Sequence, residues 1–240
     1  LHVGAMCATG AAALGVGLAA LGFSGMKPAF PGKEMADALS LSWRGGKWAA
    51  AGVAVTWLQD QSYLYLLATL AGSAETAEAS AARLFLAPAA LLNAGFGRVL
   101  LPRWAAMRAT GRKQGIGPMA RRILAWMSGL IALYAVAIRG ALPYAGSFPR
   151  LREYGDLPTL VTLWSLLFAV QAFRSCSSWR LQAAGRFAPI TRANVVSAVV
   201  TLVSGVALIG PLGARGGIGA LLMGEIVLAL LLWRACRHDD

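Results

Sequence analysis

Long apolar runs dominate the chain, and short polar segments separate them. A membrane-spanning helix needs about 20 mostly apolar residues, and runs of about this length occur at seven places. They cover residues 2–23, 48–70, 77–101, 120–140, 158–178, 193–212 and 216–233. The pattern therefore predicts an all-α fold, a polytopic membrane helical bundle with about seven transmembrane helices.

The polar segments between these runs differ greatly in length. Only Gly213-Ala214-Arg215 separates the last two runs, which predicts a tight turn, whereas residues 24–47 form a long polar stretch rich in Pro and Gly. That stretch is the one place where we expect a domain boundary. We accordingly divide the chain into a first helix at 1–23, a linker at 24–47, and six helices with a tail at 48–240.

Basic residues alternate between the two sides of this layout. Of the 22 Lys and Arg residues, fifteen fall in the segments 24–47, 102–122, 179–192 and 234–240, three fall in the opposite set of segments, and four fall within the spans. Cytoplasmic loops of membrane proteins carry such an excess of Lys and Arg. The count predicts a cytoplasmic linker, a cytoplasmic C-terminus and a first helix that enters from the outside.

Composition supports lipid, not nucleic acid, as the partner of the basic residues. Hydrophobic residues make up 58% of the chain and charged residues 13%, about half the charged share of a soluble domain. A net charge of +12 in a soluble protein would suggest nucleic-acid binding. Here the basic residues lie mostly between apolar runs, where they meet anionic lipid headgroups.

No catalytic, cofactor or metal motif is visible. Cys7, Cys176 and Cys236 are too scattered for a disulfide framework or a zinc site, and His2 and His238 lie at opposite ends of the chain. There is no Gly-rich phosphate loop and no Ser or Cys nucleophile with a neighbouring His. The sequence therefore predicts no cofactor and no enzymatic activity.

Acidic residues lie in the middle of two predicted spans. Asp60 is flanked by Gln59 and Gln61 in the second span, and Glu225 follows Gly224 in the seventh. A carboxylate at the centre of a bilayer costs about 2.5–3.5 kcal/mol, so both should face protein or a water-filled cavity. Asp60, with Gln59 and Gln61 beside it, and Glu225 are candidates for ion coupling or gating, and Glu225 is expected to pair with an arginine in a span. The alternative for Asp60 is a hydrogen-bonded brace between two helices.

Arginines within the spans are the candidates for contacting an anionic substrate. Arg83 and Arg98 are fifteen residues apart in the third span, which places them within about 60° around an ideal helix and about 22 Å apart along it. Pro88 between them is expected to bend that helix. Arg174 follows Gln171 by one turn in the fifth span. The alternative is that these long side chains reach to the membrane interfaces.

A polar stripe of small residues runs along the sixth span. Asn194 begins it, and Ser197, Thr201 and Ser204 follow at spacings of three and four residues. Such stripes usually allow close helix packing in membranes. Asn194 is also a candidate for the ion-coupling or gating group.

Three stretches resemble the C-terminal half of polysaccharide-biosynthesis flippases, the O-antigen (Wzx-like) branch of the multidrug/oligosaccharidyl-lipid/polysaccharide exporter superfamily, whose lobes are MATE-like. The first runs through residues 35–88, with Leu-Ser-Trp at 41–43, Asp60, the turn at 70–77 and Ala-Ala-Arg-Leu at 81–84. The second is Val-Leu-Leu-Pro-Arg at 99–103 with Gly-Arg at 111–112. The third is Leu-Gln-Ala-Ala-Gly-Arg at 181–186, then Asn194, Gly-Pro-Leu-Gly at 210–213 and residues 216–220.

The resemblance implies a position in the family's architecture and a function. Residues 1–23 would be the last helix of an N-lobe that precedes this sequence, and 48–240 would be the six-helix C-lobe. Such proteins move undecaprenyl-pyrophosphate-linked oligosaccharides across the bacterial inner membrane by alternating access. Arg83, Arg98 and Arg174 would contact the substrate, and Asp60 and Glu225 would couple transport to an ion. A C-lobe alone is expected not to transport.

Three alternatives remain open at the level of sequence. A lipid II flippase and a cation-coupled multidrug antiporter belong to the same superfamily and share its lobes. A membrane enzyme of envelope glycan synthesis, such as a polymerase or ligase, would be a different class.

Overall fold

The computed structural model describes residues 32–145 and 155–237. The chain divides into two compact units, Leu1–Arg44 and Gly45–Asp240. In the first unit the described residues, 32–44, are helical, and all that follows concerns the second unit. The predicted first span at 2–23 lies outside the described residues, as does the linker before residue 32.

Helices account for nearly all of the described chain, and no strand occurs in it. The described α-helices are α1 (Gly32–Leu70), α2 (Ser73–Phe85), α3 (Ala87–Ala109), α4 (Ile116–Ala145), α5 (Leu157–Ala183) and α6 (Phe187–Arg237). A short 3₁₀ helix, Lys113–Gly115, precedes α4. For the residues described, the all-α prediction is confirmed.

Three described helices are long and apolar enough to cross a membrane, and a fourth candidate is a bent pair. The three are α4 over Ile116–Leu142, α5 and α6, and the pair is α2 with α3. They coincide with the predicted spans at 77–101, 120–140, 158–178, 193–212 and 216–233, the last two both within α6. The predicted span at 48–70 lies in α1, which is not among them. The predicted count of seven is therefore not confirmed.

The predicted third span is bent where α2 meets α3. The two helices make an angle of 55°, with Leu86 between them and Pro88 in the first turn of α3. The N–H of Ala89 bonds to the carbonyl of Leu86, and the hydroxyl of Tyr134 in α4 donates to the carbonyl of Phe85 at 2.8 Å. The bend expected from Pro88 is thus present, and a neighbouring helix satisfies a carbonyl at the break.

α6 is interrupted at Gly213 and folds back on itself. A straight helix of 51 residues would be about 76 Å long, far more than a bilayer. Gly213 has φ 54° and ψ −132°, a left-handed conformation that glycine adopts without a steric penalty. Ser197 then donates to the carbonyl of Gly224 at 2.9 Å, so residues 187–212 and 214–237 pack against each other. The tight turn predicted at 213–215 is confirmed.

α5 lies at the centre of the described unit. It packs along α6 and also contacts α2, α3 and α4. Trp164 on α5 is buried among Tyr63, Phe168 and other apolar side chains, and its indole N–H donates to the carbonyl of Ala79 at 3.1 Å. The core is thus organised around one helix whose two faces are both covered.

The outer faces of the helices are apolar. Large hydrophobic side chains are exposed along α2, α3, α4 and α6, among them Leu84, Leu91, Val99, Trp126, Leu133, Val136, Val203 and Val206. An exposed apolar surface of this extent is unusual for a soluble monomer. Together with the long apolar helices, it suggests a membrane protein.

Candidate functional site

One face of α1 forms a wall of the candidate site. Trp48, Gly52, Thr56 and Asp60 are spaced four residues apart, and all four line the same cavity of about 400 Å³. Residues at this spacing lie on one face of a helix. We call this space the Asp60 cavity.

α5 supplies the second wall, with residues at the same spacing. Arg174, Ser178 and Gln182 line the cavity, and the Gln182 amide donates to the Ser178 hydroxyl at 2.9 Å. The predicted substrate contact Arg174 and the predicted coupling residue Asp60 therefore meet at one cavity, although 114 positions separate them in the sequence.

The first half of α6 closes the cavity and holds α1 in place. Asn194 and Thr191 line it. The Thr191 hydroxyl donates to the carbonyl of Trp48 at 2.6 Å, and the Asn194 amide donates to that of Gly52 at 3.4 Å. A Cβ atom on Gly52 would lie 3.2 Å from the Thr191 hydroxyl, so the absent side chain permits this approach. Asn194 is both a packing contact and a cavity residue.

An ion pair lies beside the cavity, within the helical bundle. Nε of Arg174 is 2.7 Å from Oε2 of Glu225, whose side chain is 9% exposed. The amide of Gln171 donates to Oε1 of the same carboxylate at 3.2 Å. The carboxylate is thus paired with a cation inside the protein and does not face lipid. The predicted pairing of Glu225 with an arginine in a span is confirmed, while its role in coupling stays a prediction.

Asp60 lies within electrostatic reach of two arginines. The positive charges of Arg83 and Arg174 both act on its carboxylate. Arg83 is exposed, and its guanidinium lies 5.3 Å from the centre of the Trp164 ring, which fixes the direction of the side chain. Of these two arginines, Arg174 lines the Asp60 cavity, whereas Arg83 is not among the described residues that line it.

The remaining predicted site residues lie elsewhere. Gln59 is buried, and its amide donates to the hydroxyls of Thr201 at 2.8 Å and Ser197 at 3.3 Å, which makes it a link between α1 and α6. Gln61 is half-buried and does not line the Asp60 cavity. Arg98 is exposed and does not line it either.

Sequence reasoning missed several residues of the site. Trp48, Thr56, Ser178 and Gln182 line the cavity but had not been singled out. They lie at multiples of four residues from Asp60 or Arg174, and this spacing is the signal that could have found them, because side chains four residues apart share a helix face.

A second polar cluster joins three turns at the opposite end of the bundle. The Glu75 carboxylate accepts from the N–H of Ala214 at 2.7 Å, and the Glu78 carboxylate accepts from the N–H of Asp156 at 2.7 Å. Arg215 pairs with Asp156 through two guanidinium nitrogens, Nη2 lying 2.6 Å from Oδ1. We call Glu75, Glu78, Asp156 and Arg215 the outer latch. These side chains hold together segments that the charge count assigns to the same side of the membrane.

Charge interactions act within the outer latch, where Arg215 is exposed and Glu75, Glu78 and Asp156 are half-buried. Hydrogen bonding from Arg215 lowers the pKa of Asp156 below its ordinary value, with a smaller opposing effect of burial. Glu75 binds the first N–H of the second half of α6, where the positive end of the helix dipole favours a carboxylate. The arrangement is one of structural support.

Metal-binding groups do not converge within residues 32–145 and 155–237, where no three His, Cys, Asp or Glu side chains lie close enough to hold an ion. Comparison of the chain with protein-family models, with curated proteins and with solved structures found no match. The geometry of the Asp60 cavity is therefore the basis for the proposed function.

Proposed function

We propose that this chain is the C-terminal part of a bacterial inner-membrane flippase that moves an undecaprenyl-pyrophosphate-linked oligosaccharide by alternating access. The observation that carries the proposal is the meeting of Asp60, Arg174 and Asn194 on one cavity. Charged groups within an apolar bundle are expensive, and they usually mark a path for substrate or ions.

Arg174 is the proposed contact for the pyrophosphate. Its planar guanidinium matches phosphate oxygens in geometry and charge, and it is 20% exposed, so it is not enclosed by its partner Glu225. Arg83 is the second proposed contact, because its guanidinium is exposed and its positive charge acts on Asp60, although Arg83 is not among the described residues that line the Asp60 cavity. Trp48 and Trp57 line the same cavity and offer aromatic faces to sugar rings.

Asp60 and Glu225 are the proposed coupling groups. Each carboxylate interacts with Arg174, Glu225 by direct contact and Asp60 through space. A substrate anion at Arg174 would compete with both carboxylates. Binding of a proton or cation to either one would then change the strength of the substrate site, which is the coupling that a secondary transporter requires.

The Asp60 cavity also favours one alternative. Asp60 together with Trp48 and Trp57 would suit an organic cation, as in a cation-coupled multidrug antiporter, because a carboxylate and aromatic faces both attract cations. The two candidates differ in the sign of the charge that their substrate carries.

Ligand binding separates these candidates. The purified chain is titrated with a polyprenyl-pyrophosphate-linked disaccharide and, separately, with tetraphenylphosphonium, and binding is followed by native mass spectrometry. The flippase proposal expects the pyrophosphate compound to bind and Arg174→Gln to weaken it about tenfold, the value of one charge-assisted hydrogen bond. Arg139→Gln, which removes an exposed arginine that does not line the Asp60 cavity, is the matched control.

The same titration can also contradict the flippase proposal. Binding of tetraphenylphosphonium that Asp60→Asn abolishes, without binding of the pyrophosphate compound, would support the antiporter. Transport is tested separately in cells, where Arg174→Gln in the complete gene product should cause lipid-linked oligosaccharide to accumulate in the inner leaflet. Normal export by that variant would contradict the proposed role of Arg174.

A further inference from the structure

The hydroxyl of Tyr63 is enclosed by the protein and unpaired. Tyr63 lies on α1, three residues after Asp60, and is 3% exposed. Within the described part of the chain its hydroxyl oxygen has no hydrogen-bond partner. A buried hydroxyl without a partner costs free energy, and native proteins keep few such groups, so each one calls for an explanation.

Packing from two helices fixes the ring of Tyr63. It meets the ring of Trp164 on α5 edge to face, with the ring centres 6.2 Å apart and the planes at 77°. Gly217 in the second half of α6 lies so close that an added Cβ would be 3.3 Å from Cε2 of the tyrosine. The ring therefore has little room to move, and a partner for its hydroxyl has to be a side chain that moves towards it.

Asp60 is the acceptor that suits this hydroxyl. The charges of Asp60 and Arg83 both act on Tyr63. A guanidinium has only donors, so it cannot accept the hydroxyl proton, whereas a carboxylate accepts several hydrogen bonds. Residues three positions apart are neighbours on the surface of a helix, which places Asp60 beside Tyr63.

In this structure cations, not the hydroxyl, compensate the charge of Asp60. The positive charges of Arg83 and Arg174 act on the carboxylate, and that of Arg83 acts more strongly. Arg83 is exposed, so an anion from outside the bundle can reach it. An anion bound there would take up the charge of Arg83 and leave Asp60 less compensated. A hydrogen bond from Tyr63 to the carboxylate would then be favoured, because bonds to ionised groups are the strong ones.

We propose that Tyr63 is a positioning residue for Asp60, and that its hydroxyl donates to the Asp60 carboxylate when an anion takes up the charge of Arg83. The inference rests on the function proposed above for the identity of that anion, a pyrophosphate group. The hydroxyl holds Asp60 while the substrate is bound and releases it when the substrate leaves. Occupation of the substrate site thus changes the position of the proposed coupling group, which links the two sites.

The hydrogen bond can be tested without a substrate, because Arg83→Gln removes the same charge. Ultraviolet resonance Raman spectra show whether a tyrosine hydroxyl donates a hydrogen bond, and subtracting the spectrum of the matching Tyr63→Phe variant isolates Tyr63. We expect an unbonded hydroxyl in the parent chain and a donor in Arg83→Gln. Adding Asp60→Ala should return the hydroxyl to the unbonded state. Arg139→Gln, which removes another exposed arginine of a predicted span, is the matched control and should leave the signal unchanged.

These spectra can support or overturn the exchange of partners. A donor signal that appears in Arg83→Gln and disappears with Asp60→Ala supports it. The proposal is overturned if Tyr63 already donates in the parent chain, if Arg83→Gln has no effect, or if the donor signal survives Asp60→Ala. Tyr63→Phe keeps the ring and removes only the unpaired hydroxyl, so its midpoint of thermal unfolding should be no lower than that of the parent chain. A lower midpoint would indicate a structural hydrogen bond and would contradict the proposal.

Ligand binding tests the connection with the proposed function. Tyr63→Phe should weaken binding of the polyprenyl-pyrophosphate-linked disaccharide about tenfold, the value of one hydrogen bond to a charged group. Tyr65→Phe, which alters an exposed tyrosine of the same helix, is the control. In the Asp60→Ala background Tyr63→Phe should have no further effect.

The binding results and the spectra separate the two proposals. If the pyrophosphate compound does not bind the parent chain, the flippase proposal fails, and the Raman spectra still decide whether Tyr63 and Asp60 exchange partners. If the compound binds, an unchanged affinity of Tyr63→Phe would overturn the positioning role of Tyr63. The same loss with and without Asp60 would overturn it as well, because the hydroxyl would then act on the substrate by another route.

Discussion

Single residues decide the electrostatics within this bundle. The Arg174–Glu225 pair is the strongest case, because both side chains are mostly buried and the shortest contact is 2.7 Å. Removing one partner of a buried ion pair leaves the other charge without compensation, which costs more than the pair itself contributes.

Arg174→Gln should therefore destabilise the protein. We expect a loss of about 2 kcal/mol, below the roughly 3–5 kcal/mol of a fully buried pair because Arg174 is 20% exposed. Adding Glu225→Gln should restore most of that loss, since the uncompensated carboxylate is then gone. Thermal unfolding of the single and double variants in detergent measures both the loss of stability and its recovery. A double variant no more stable than Arg174→Gln would show that the pair is unimportant.

Gly213→Ala should disrupt the turn within α6. The alanine backbone would have to adopt a left-handed conformation, which costs about 1–2 kcal/mol for residues other than glycine. Its Cβ would lie 2.6 Å from Oε2 of Glu75. We expect a lower midpoint of thermal unfolding than in Gly210→Ala, whose Cβ would meet no atom within 4 Å. Equal midpoints would contradict the proposed role of this turn.

At the scale of helices, polar side chains hold α1 against α6. The amide of Gln59 contacts both Ser197 and Thr201, and Asn194 and Thr191 bond to the backbone of α1. Within a membrane the hydrophobic effect between helices is weak, so close packing and such hydrogen bonds carry more of the association. The polar stripe at 194, 197 and 201 therefore serves as the docking line for α1.

Gln59→Leu should loosen this contact. The substitution removes two buried hydrogen bonds of the Gln59 side chain, while the hydroxyl groups that accepted them stay in place. We expect a loss of about 1–2 kcal/mol in the free energy of unfolding. Gln61→Leu, next but one on the same helix, is the control for stability because Gln61 is half-buried. Hydrogen exchange of residues 52–66 should rise in the Gln59 variant alone. Unchanged exchange would mean that α1 is held by other contacts.

At the scale of the whole unit, the two ends of the bundle carry different charge patterns. One end has the outer latch, in which acidic residues meet Arg215, and at the other end Arg108, Arg121, Arg180 and Arg237 line one cavity. That these two ends lie on opposite sides of a membrane, and which of them faces the cytoplasm, stay predictions of the charge count.

Acid should weaken the outer latch. Arg215 lowers the pKa of Asp156, so the folded state favours the ionised carboxylate. Its contribution is fully present above the unfolded carboxyl pKa of about 3.9 and is lost as the pH falls through the lower folded value. Arg215→Gln should lower stability at neutral pH and flatten the dependence on pH below about 4. Thermal midpoints across pH 3 to about 7 test this, and parallel curves for both proteins would contradict it.

Membrane orientation can be measured with single cysteines. In a background that lacks Cys7, Cys176 and Cys236, a cysteine at Arg112 should react with an impermeant maleimide only from the cytoplasmic side. A cysteine at Gly155 should react only from the outside. These expectations follow from the excess of Lys and Arg around residue 112. Labelling with the opposite sidedness would reverse the predicted topology and the side of the membrane on which the Asp60 cavity opens.

The sequence by itself determined the apolar helices, the tight turn at 213–215, the bend near Pro88 and the inward position of Asp60 and Glu225. These follow from local composition and from the cost of placing charge in lipid, neither of which depends on the partner helix. Only the tertiary structure decided that Arg174 pairs with Glu225, that Gln59 is a packing residue, and that Arg98 lies outside the Asp60 cavity. Those relations join residues far apart in the chain, and helical periodicity specifies which residues share a face without specifying which faces meet.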